Sequence, residues 1–143
     1  FRIVIEALAR QVDGLQVDSV VGIEARGFPY GAALAHQLGA GFITMRKQGK
    51  LPGLVHAREY ELEYGTATLE LHQDAVGSGQ RVVIVDDVLA TGGTAGAAVD
   101  LVTLCGAEVL ALLVVMDLPF LEGRSVLEAR GTLVHALLTP TPG

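Results

Sequence analysis

Tryptophan is missing from this chain, cysteine occurs once and lysine only twice. A lone Cys105 excludes an internal disulfide and any cysteine-based metal site, and it points to a reducing compartment. Its place in a helical run before Gly106 suits a small packing residue better than a reactive thiol. No apolar stretch approaches the length of a membrane span and no leader is visible, so the expectation is a cytoplasmic chain. Positive charge is scarce: Lys and Arg total 10 against 16 Asp and Glu, a formal net charge of −6. That balance argues against nonspecific nucleic-acid binding, although a local cation cluster can still serve a small anion. The four histidines, His36, His56, His72 and His135, lack metal-ligand spacing. His36 and His135 read as packing or surface residues. No Ser, His and Asp arrangement stands out.

What is present is apolar and glycine-rich. Hydrophobic residues make up 50% of the 143 and glycine accounts for 18. This is enough for one domain over 1–143 with a buried core, and it argues against disorder. Periodicity predicts an amphipathic helix over Phe1–Val12, a strand over Val20–Ile23, a helix over Tyr30–Leu38 with Pro29 in its first turn, and a strand over Phe42–Met45. Arg46–Val55 reads as a mobile loop. Glu59–Tyr64 and Thr66–His72 alternate around Gly65 and suit a hairpin or flexible β arm. A central strand is expected over Arg81–Asp86, a helix over Gly93–Leu104, a strand over Glu108–Val115, a helix over Pro119–Arg130 and a last strand over Thr132–Leu138. Strands that are nearly continuous apolar runs, alternating with helices, predict an α/β fold: a mostly parallel sheet covered on both faces. Ligands in such sheets bind outside the carboxyl ends of the strands. Three polar or glycine-rich segments belong at that edge: Glu24–Gly27, Arg46–Lys50 and Asp86–Thr94.

The third of these holds the most chemistry. Val82-Val83-Ile84-Val85 runs into Asp86 and Asp87, and then into Ala90-Thr91-Gly92-Gly93-Thr94. Small residues let the backbone approach a ligand, Gly92 and Gly93 tolerate positive φ, and a helix N-terminus favours an anion. The hydroxyls of Thr91 and Thr94 add donors. An ordinary strand-to-helix turn with a Thr cap is the plain alternative. Adjacent carboxylates at the end of a buried strand repel each other and need partners. Vicinal sugar hydroxyls or a divalent cation would supply them; so would a helix-capping role for one Asp and hydration for the other. Both lysines, Lys47 and Lys50, sit with Arg46 in a Gly- and Pro-punctuated segment. It is either a solvated loop edge or a movable basic loop suited to pyrophosphate. Arg26 can add a bidentate grip on phosphate. Gly22–Gly27 has the glycine spacing of a Walker A loop, but Phe28 stands where lysine is required. Gly39-Ala40-Gly41 lacks the third glycine of a dinucleotide fingerprint.

The run from Val82 to Thr94 resembles the phosphoribosyl-diphosphate binding motif of type I phosphoribosyltransferases. Three further segments resemble the adenine phosphoribosyltransferase branch: Glu24–Phe28, Met45–Gly53 and Tyr60–Gly65. The resemblance extends from Phe1 to about Leu138. It implies a type I phosphoribosyltransferase fold with a flexible β arm over the site. It also implies a reaction in which adenine displaces pyrophosphate from phosphoribosyl diphosphate, giving AMP, with Mg²⁺ carried by the substrate and no direct protein ligand to the metal. By that resemblance Asp86 and Asp87 hold the ribose hydroxyls, and Ala90, Thr91, Gly92, Gly93 and Thr94 cradle the 5′-phosphate. Arg26, Arg46 and Lys50 surround the pyrophosphate, partly across a homodimer interface. Glu63 transfers a proton to or from the base, and Tyr64 closes over the site. Without the resemblance, Glu63 reads as an exposed strand carboxylate. The family also has an N-terminal hood that contacts the base, and this sequence is expected to begin after it. Another purine phosphoribosyltransferase, for xanthine or for hypoxanthine and guanine, is the alternative. So is a regulator that senses phosphoribosyl diphosphate without catalysis, but no basic appendage suggests one.

Overall fold

The computed structural model describes residues 1–62 and 64–142. Its elements run α1 (Arg2–Gln11), β1 (Ser19–Ile23), α2 (Gly27–Leu38), β2 (Gly41–Lys47), β3 (Val55–Leu62), β4 (Gly65–His72), β5 (Arg81–Leu89), α3 (Gly93–Leu104), β6 (Glu108–Asp117), a 3₁₀ turn (Pro119–Leu121), α4 (Gly123–Ala129) and β7 (Val134–Leu138). Seven strands form one sheet in the order β3-β4-β2-β1-β5-β6-β7. The five from β2 to β7 are parallel, and the β3–β4 hairpin joins β2 antiparallel through Arg46 and Lys47. This is the expected α/β architecture with a mostly parallel sheet. No described helix is long and apolar enough to cross a membrane.

Strand alternation divides the core in two. Val83 and Val85 of β5, with Ala111 and Leu113 of β6, pack against Ile5, Leu8 and Val12 and against Leu34 and Ala35 of α2. Val82 and Ile84, with Leu112 and Val114, face Ala98, Leu101 and Val102 of α3 and Leu127 of α4. Both faces of the central strands are therefore covered, which accounts for their unbroken apolar runs. From β1 the chain crosses through α2 on one face to β2. From β5 it crosses through α3 on the other face to β6. The strand order thus reverses between β1 and β5, and a crevice opens there at the carboxyl edge.

Several boundaries differ from expectation. β2 runs on through Arg46 and Lys47, because β4 pairs with both residues, and so the loop is confined to 48–54. β5 does not stop at Asp86. It continues to Leu89 because β6 pairs with it as far as Leu89↔Asp117, whereas β1 stops at Gly22↔Val85. The expected helix over Pro119–Arg130 is broken at Glu122, a non-glycine residue with φ 63°. Cys105 is half-buried beside the α3 core, and burial pushes its thiol pKa up.

Candidate active site

The parallel strands deliver Glu24–Arg26 after β1, Arg46 and Lys47 at the end of β2, and Asp86–Thr94 at the end of β5 to the same edge. A cavity of about 200 Å³ opens between them, lined by Arg26, by every residue from Asp86 to Ala95, and by Leu112 and Val114. A second cavity of about 310 Å³ adjoins it and shares Arg26, Asp86 and Thr94. Its other walls include Glu24, Ala25 and Lys47, together with Tyr60, Leu62 and Ala67 of the hairpin.

The two aspartates stand on β5 beyond the reach of β1. Asp86 Oδ1 accepts the amide of Asp87 at 2.8 Å, and Asp87 Oδ1 accepts the amide of Val88 at 2.8 Å. The guanidinium of Arg26 lies 2.9 Å from Asp87 Oδ2. Burial, and then the adjacent Asp87 carboxylate, push the Asp86 pKa up to about 7, although the Asp87 amide and Arg26 act in the opposite sense. The pair therefore resists carrying two full negative charges near neutrality, as expected for neighbouring carboxylates in a partly dry site. Groups that donate hydrogen bonds to both would relieve it.

Next along the chain, Gly92 takes φ +90° and caps α3 without a side-chain hydrogen bond. The first α-helical bond of α3 runs from the Gly96 amide to the Gly92 carbonyl at 2.8 Å. The amides of Gly93, Thr94 and Ala95 thus precede the intrahelical ladder and surround the cavity, where the helix dipole favours an anion. Thr91 is exposed and Thr94 half-buried. The hairpin lies over this turn: a methyl group on Gly93 would sit 3.2 Å from the Glu61 carbonyl oxygen. Gly27, at the start of α2, presses on β5 so closely that a methyl there would lie 2.6 Å from the Val85 carbonyl oxygen.

Two of the expected cations, Arg46 and Lys50, converge on Glu24, whereas Arg26 pairs with Asp87. The Glu24 side chain is only 4% exposed, and it accepts Arg46 Nε at 3.0 Å, the Lys47 amide at 3.3 Å and Lys50 Nζ. Burial alone would raise the Glu24 pKa, but the hydrogen bonds from Lys50, Arg46 and the Lys47 amide outweigh it and hold the carboxyl below its usual value. The peptide bond from Glu24 to Ala25 is cis. Tyr64 lies at the hairpin turn and is 91% exposed; Tyr60 and Leu62 are the hairpin residues that line the second cavity. Glu63 lies outside the described residues.

Sequence reasoning did not assign a role to Glu24, although it stands in the Glu-Ala-Arg-Gly turn beside Arg26. It also passed over Gly123, whose backbone meets the glycine turn at Ala90 and Gly92, and Arg124, which joins Asp117 to the Val134 carbonyl. Past the turn, a groove of about 340 Å³ is lined by residues that include Arg58, Gly92, Gly93, Asp100 and Arg130. There Asp100 of α3 takes Arg58 of β3 on one carboxylate oxygen (3.1 Å) and Arg130 on the other.

Residues 1–126 match the family model for the phosphoribosyl transferase domain. The chain is 50% identical over 137 residues to the adenine phosphoribosyltransferase of Ruegeria pomeroyi, spanning 96% of this chain and 76% of that protein. It superposes on the crystal structure of adenine phosphoribosyltransferase from Rhodothermus marinus with a TM-score of 0.93 at 48% identity, covering 97% of this chain and 78% of the other. For the Saccharomyces cerevisiae enzyme, solved with an imino-altritol bisphosphate and adenine, the TM-score is 0.89 at 42% identity, with 96% and 78% covered.

Proposed function

Because the chain belongs to the adenine phosphoribosyltransferase family, we propose that it moves the phosphoribosyl group of 5-phosphoribosyl 1-diphosphate onto adenine, giving AMP and pyrophosphate in purine salvage. The observation that supports this most directly is the first cavity. It puts a carboxylate pair, a guanidinium and a ring of helix-start amides within one space of a sugar phosphate's size.

Each group has a role in that reaction. The amides of 90–94 and the Thr91 and Thr94 hydroxyls donate to the 5′-phosphate; each charge-assisted bond is worth about 1.5–3 kcal/mol. Asp86 and Asp87 accept the ribose hydroxyls. Bond breaking at the anomeric carbon builds positive charge in the sugar, which nearby carboxylates stabilise. Arg26, Arg46 and Lys50 receive the departing pyrophosphate. To do so they exchange carboxylate partners, Asp87 and Glu24, for phosphate oxygens, so binding the polyanionic group is a swap of ion pairs. Glu63 acts as the proton-transfer group for the base, and Tyr64 closes the hairpin over it, excluding water that would hydrolyse the activated sugar.

The donor set suits Mg²⁺ as an ion shared with the substrate. Asp86 and Asp87 present hard oxygens beside a substrate-borne Mg²⁺, whose own ligands would be substrate oxygens and water. No group of three or more His, Cys, Asp or Glu able to hold a metal occurs among the described residues. When bound, Mg²⁺ neutralises charge on the pyrophosphate. We extend the reading to a single phosphoribosyltransferase core over 1–143 that works as a homodimer in the cytoplasm.

The test is a panel of adenine, hypoxanthine, guanine and xanthine, each with phosphoribosyl diphosphate and Mg²⁺. Nucleotide formation from adenine at a kcat/KM far above the others is expected. Turnover of another base in preference to adenine would refute the assignment.

A further inference from the structure

The segment between β6 and α4 touches no ligand in the mechanism above, yet it braces the phosphate-binding turn. β6 ends at Asp117, the chain makes its 3₁₀ turn, reverses at Glu122 and enters α4 at Gly123. Gly123 meets the turn backbone to backbone. Its amide donates to the Ala90 carbonyl at 3.1 Å. A methyl group on Gly123 would lie 2.3 Å from that oxygen and 2.9 Å from the Gly92 nitrogen. Gly92 has the reciprocal constraint, since a methyl there would lie 3.2 Å from Gly123 Cα. The turn that presents the amides of 90–94 thus rests on one residue of a distant segment.

Arg124 fixes that residue in place. Its Nε donates to Asp117 Oδ2 at 3.0 Å, and its Nη1 donates to the Val134 carbonyl at 2.9 Å. The Asp117–Arg124 pair therefore closes the segment at both ends. Asp117 also sits opposite Leu89, the last residue of β5 before the turn, and the Leu118 amide donates to the Leu89 carbonyl at 3.0 Å. Asp117 is 1% exposed, and its Oδ1 has no hydrogen-bond partner among the described residues. A buried carboxylate with one guanidinium and an unsatisfied oxygen is a poor route to stability compared with apolar packing. What such a pair does supply is direction, because the guanidinium plane fixes two donors at once.

Resting on the functional reading above, we infer that Arg124, held by Asp117, is a positioning residue that sets the turn 90–94 through Gly123 and so tunes affinity for the 5′-phosphate of the substrate. It makes no contact with the reacting atoms. A shift of the turn alters every amide aimed at the phosphate, while the Glu24 cluster that serves the pyrophosphate stays where it is.

The experiment compares the full chain with R124K, R124A, D117N and G123A. Calorimetry would follow AMP, ribose 5-phosphate and pyrophosphate, and kinetics would follow KM for phosphoribosyl diphosphate and for adenine. R124A should weaken AMP and ribose 5-phosphate by about tenfold or more, the scale of losing one charge-assisted hydrogen bond. Pyrophosphate affinity and the adenine KM should stay unchanged. R124K, which keeps a charge for Asp117 but loses the planar fork, should fall between. G123A reaches the same turn without touching Asp117 and should show the same selective loss. Should R124A not fold, D117N and G123A decide by the same criterion. Equal weakening of AMP and pyrophosphate, or undiminished AMP binding in folded variants, overturns the inference. Failure of the unmodified chain to bind AMP overturns the functional reading as well and is seen before any variant is compared.

Discussion

Among the described residues, Asp86 has the carboxyl moved furthest from its ordinary value. Its pKa is raised from 3.8 to about 7. Between these values the folded chain holds a proton that the unfolded chain has released, so stability falls as pH rises from about 4 through about 7 and levels off above. Asp86→Asn cannot titrate and keeps an oxygen to accept the Asp87 amide. The variant should outlast the natural chain in urea at about pH 8, with the gap closing toward about pH 4, while losing sugar-phosphate turnover. A urea midpoint at pH 8 equal to or below the natural chain's would contradict this. The acidic pair and the glycine turn were legible in sequence because their chemistry is local: a strand, two acceptors and a helix start follow one another without a break. Glu24, Asp117 and Arg124 were not assigned roles because their meaning lies in partners that only folding brings near. The same holds for Arg46 and Lys50, recognised as cations but not as ligands of one shared carboxylate.

Among the elements, α2 is coupled to the site through its N-terminus. Its N-terminus places Arg26 against Asp87, and it can do so only because Gly27 brings the helix onto the backbone of β5. Gly27→Ala would drive a methyl into the Val85 carbonyl. We expect a loss of about 1–3 kcal/mol in unfolding free energy, the usual scale of overpacking, and weaker pyrophosphate binding as Arg26 moves. Chemical denaturation and pyrophosphate titration of the variant check the two effects, and an unaltered denaturation midpoint would show that the helix yields freely. Hydrophobic period gave the helices and strands their approximate places. It could not show that β5 runs past Asp86, since that depends on β6 remaining alongside after β1 has stopped. Nor could it show the break at Glu122, where the sequence offers a charged residue and no proline.

Across the whole molecule, the sheet holds the site along one rim, with helices on both faces and the hairpin folded over the turn. The alternation of element types made this layout readable. The antiparallel attachment of the hairpin to β2 was less so, because it depends on Arg46 and Lys47 pairing with Glu70 and Leu69. Of the contacts between the hairpin and the helical layer, the ion pair from Arg58 to Asp100 is half open to water. Raising salt should therefore speed amide hydrogen exchange in β3 more than in α3, because exposed pairs are screened and buried packing is not. Equal acceleration in both would count against a distinct role for this pair.

Asp100 divides its two oxygens between Arg58 and Arg130, and this sets the energetics of any outward swing of the arm. Lifting the strand would break one solvent-facing ion pair, worth at most about 1 kcal/mol, together with the packing of Tyr60 on the core, and would not strand a naked charge, because Arg130 stays bound to the helix side. The ionic part of such a motion is therefore inexpensive, and its main resistance comes from the apolar contacts of Tyr60.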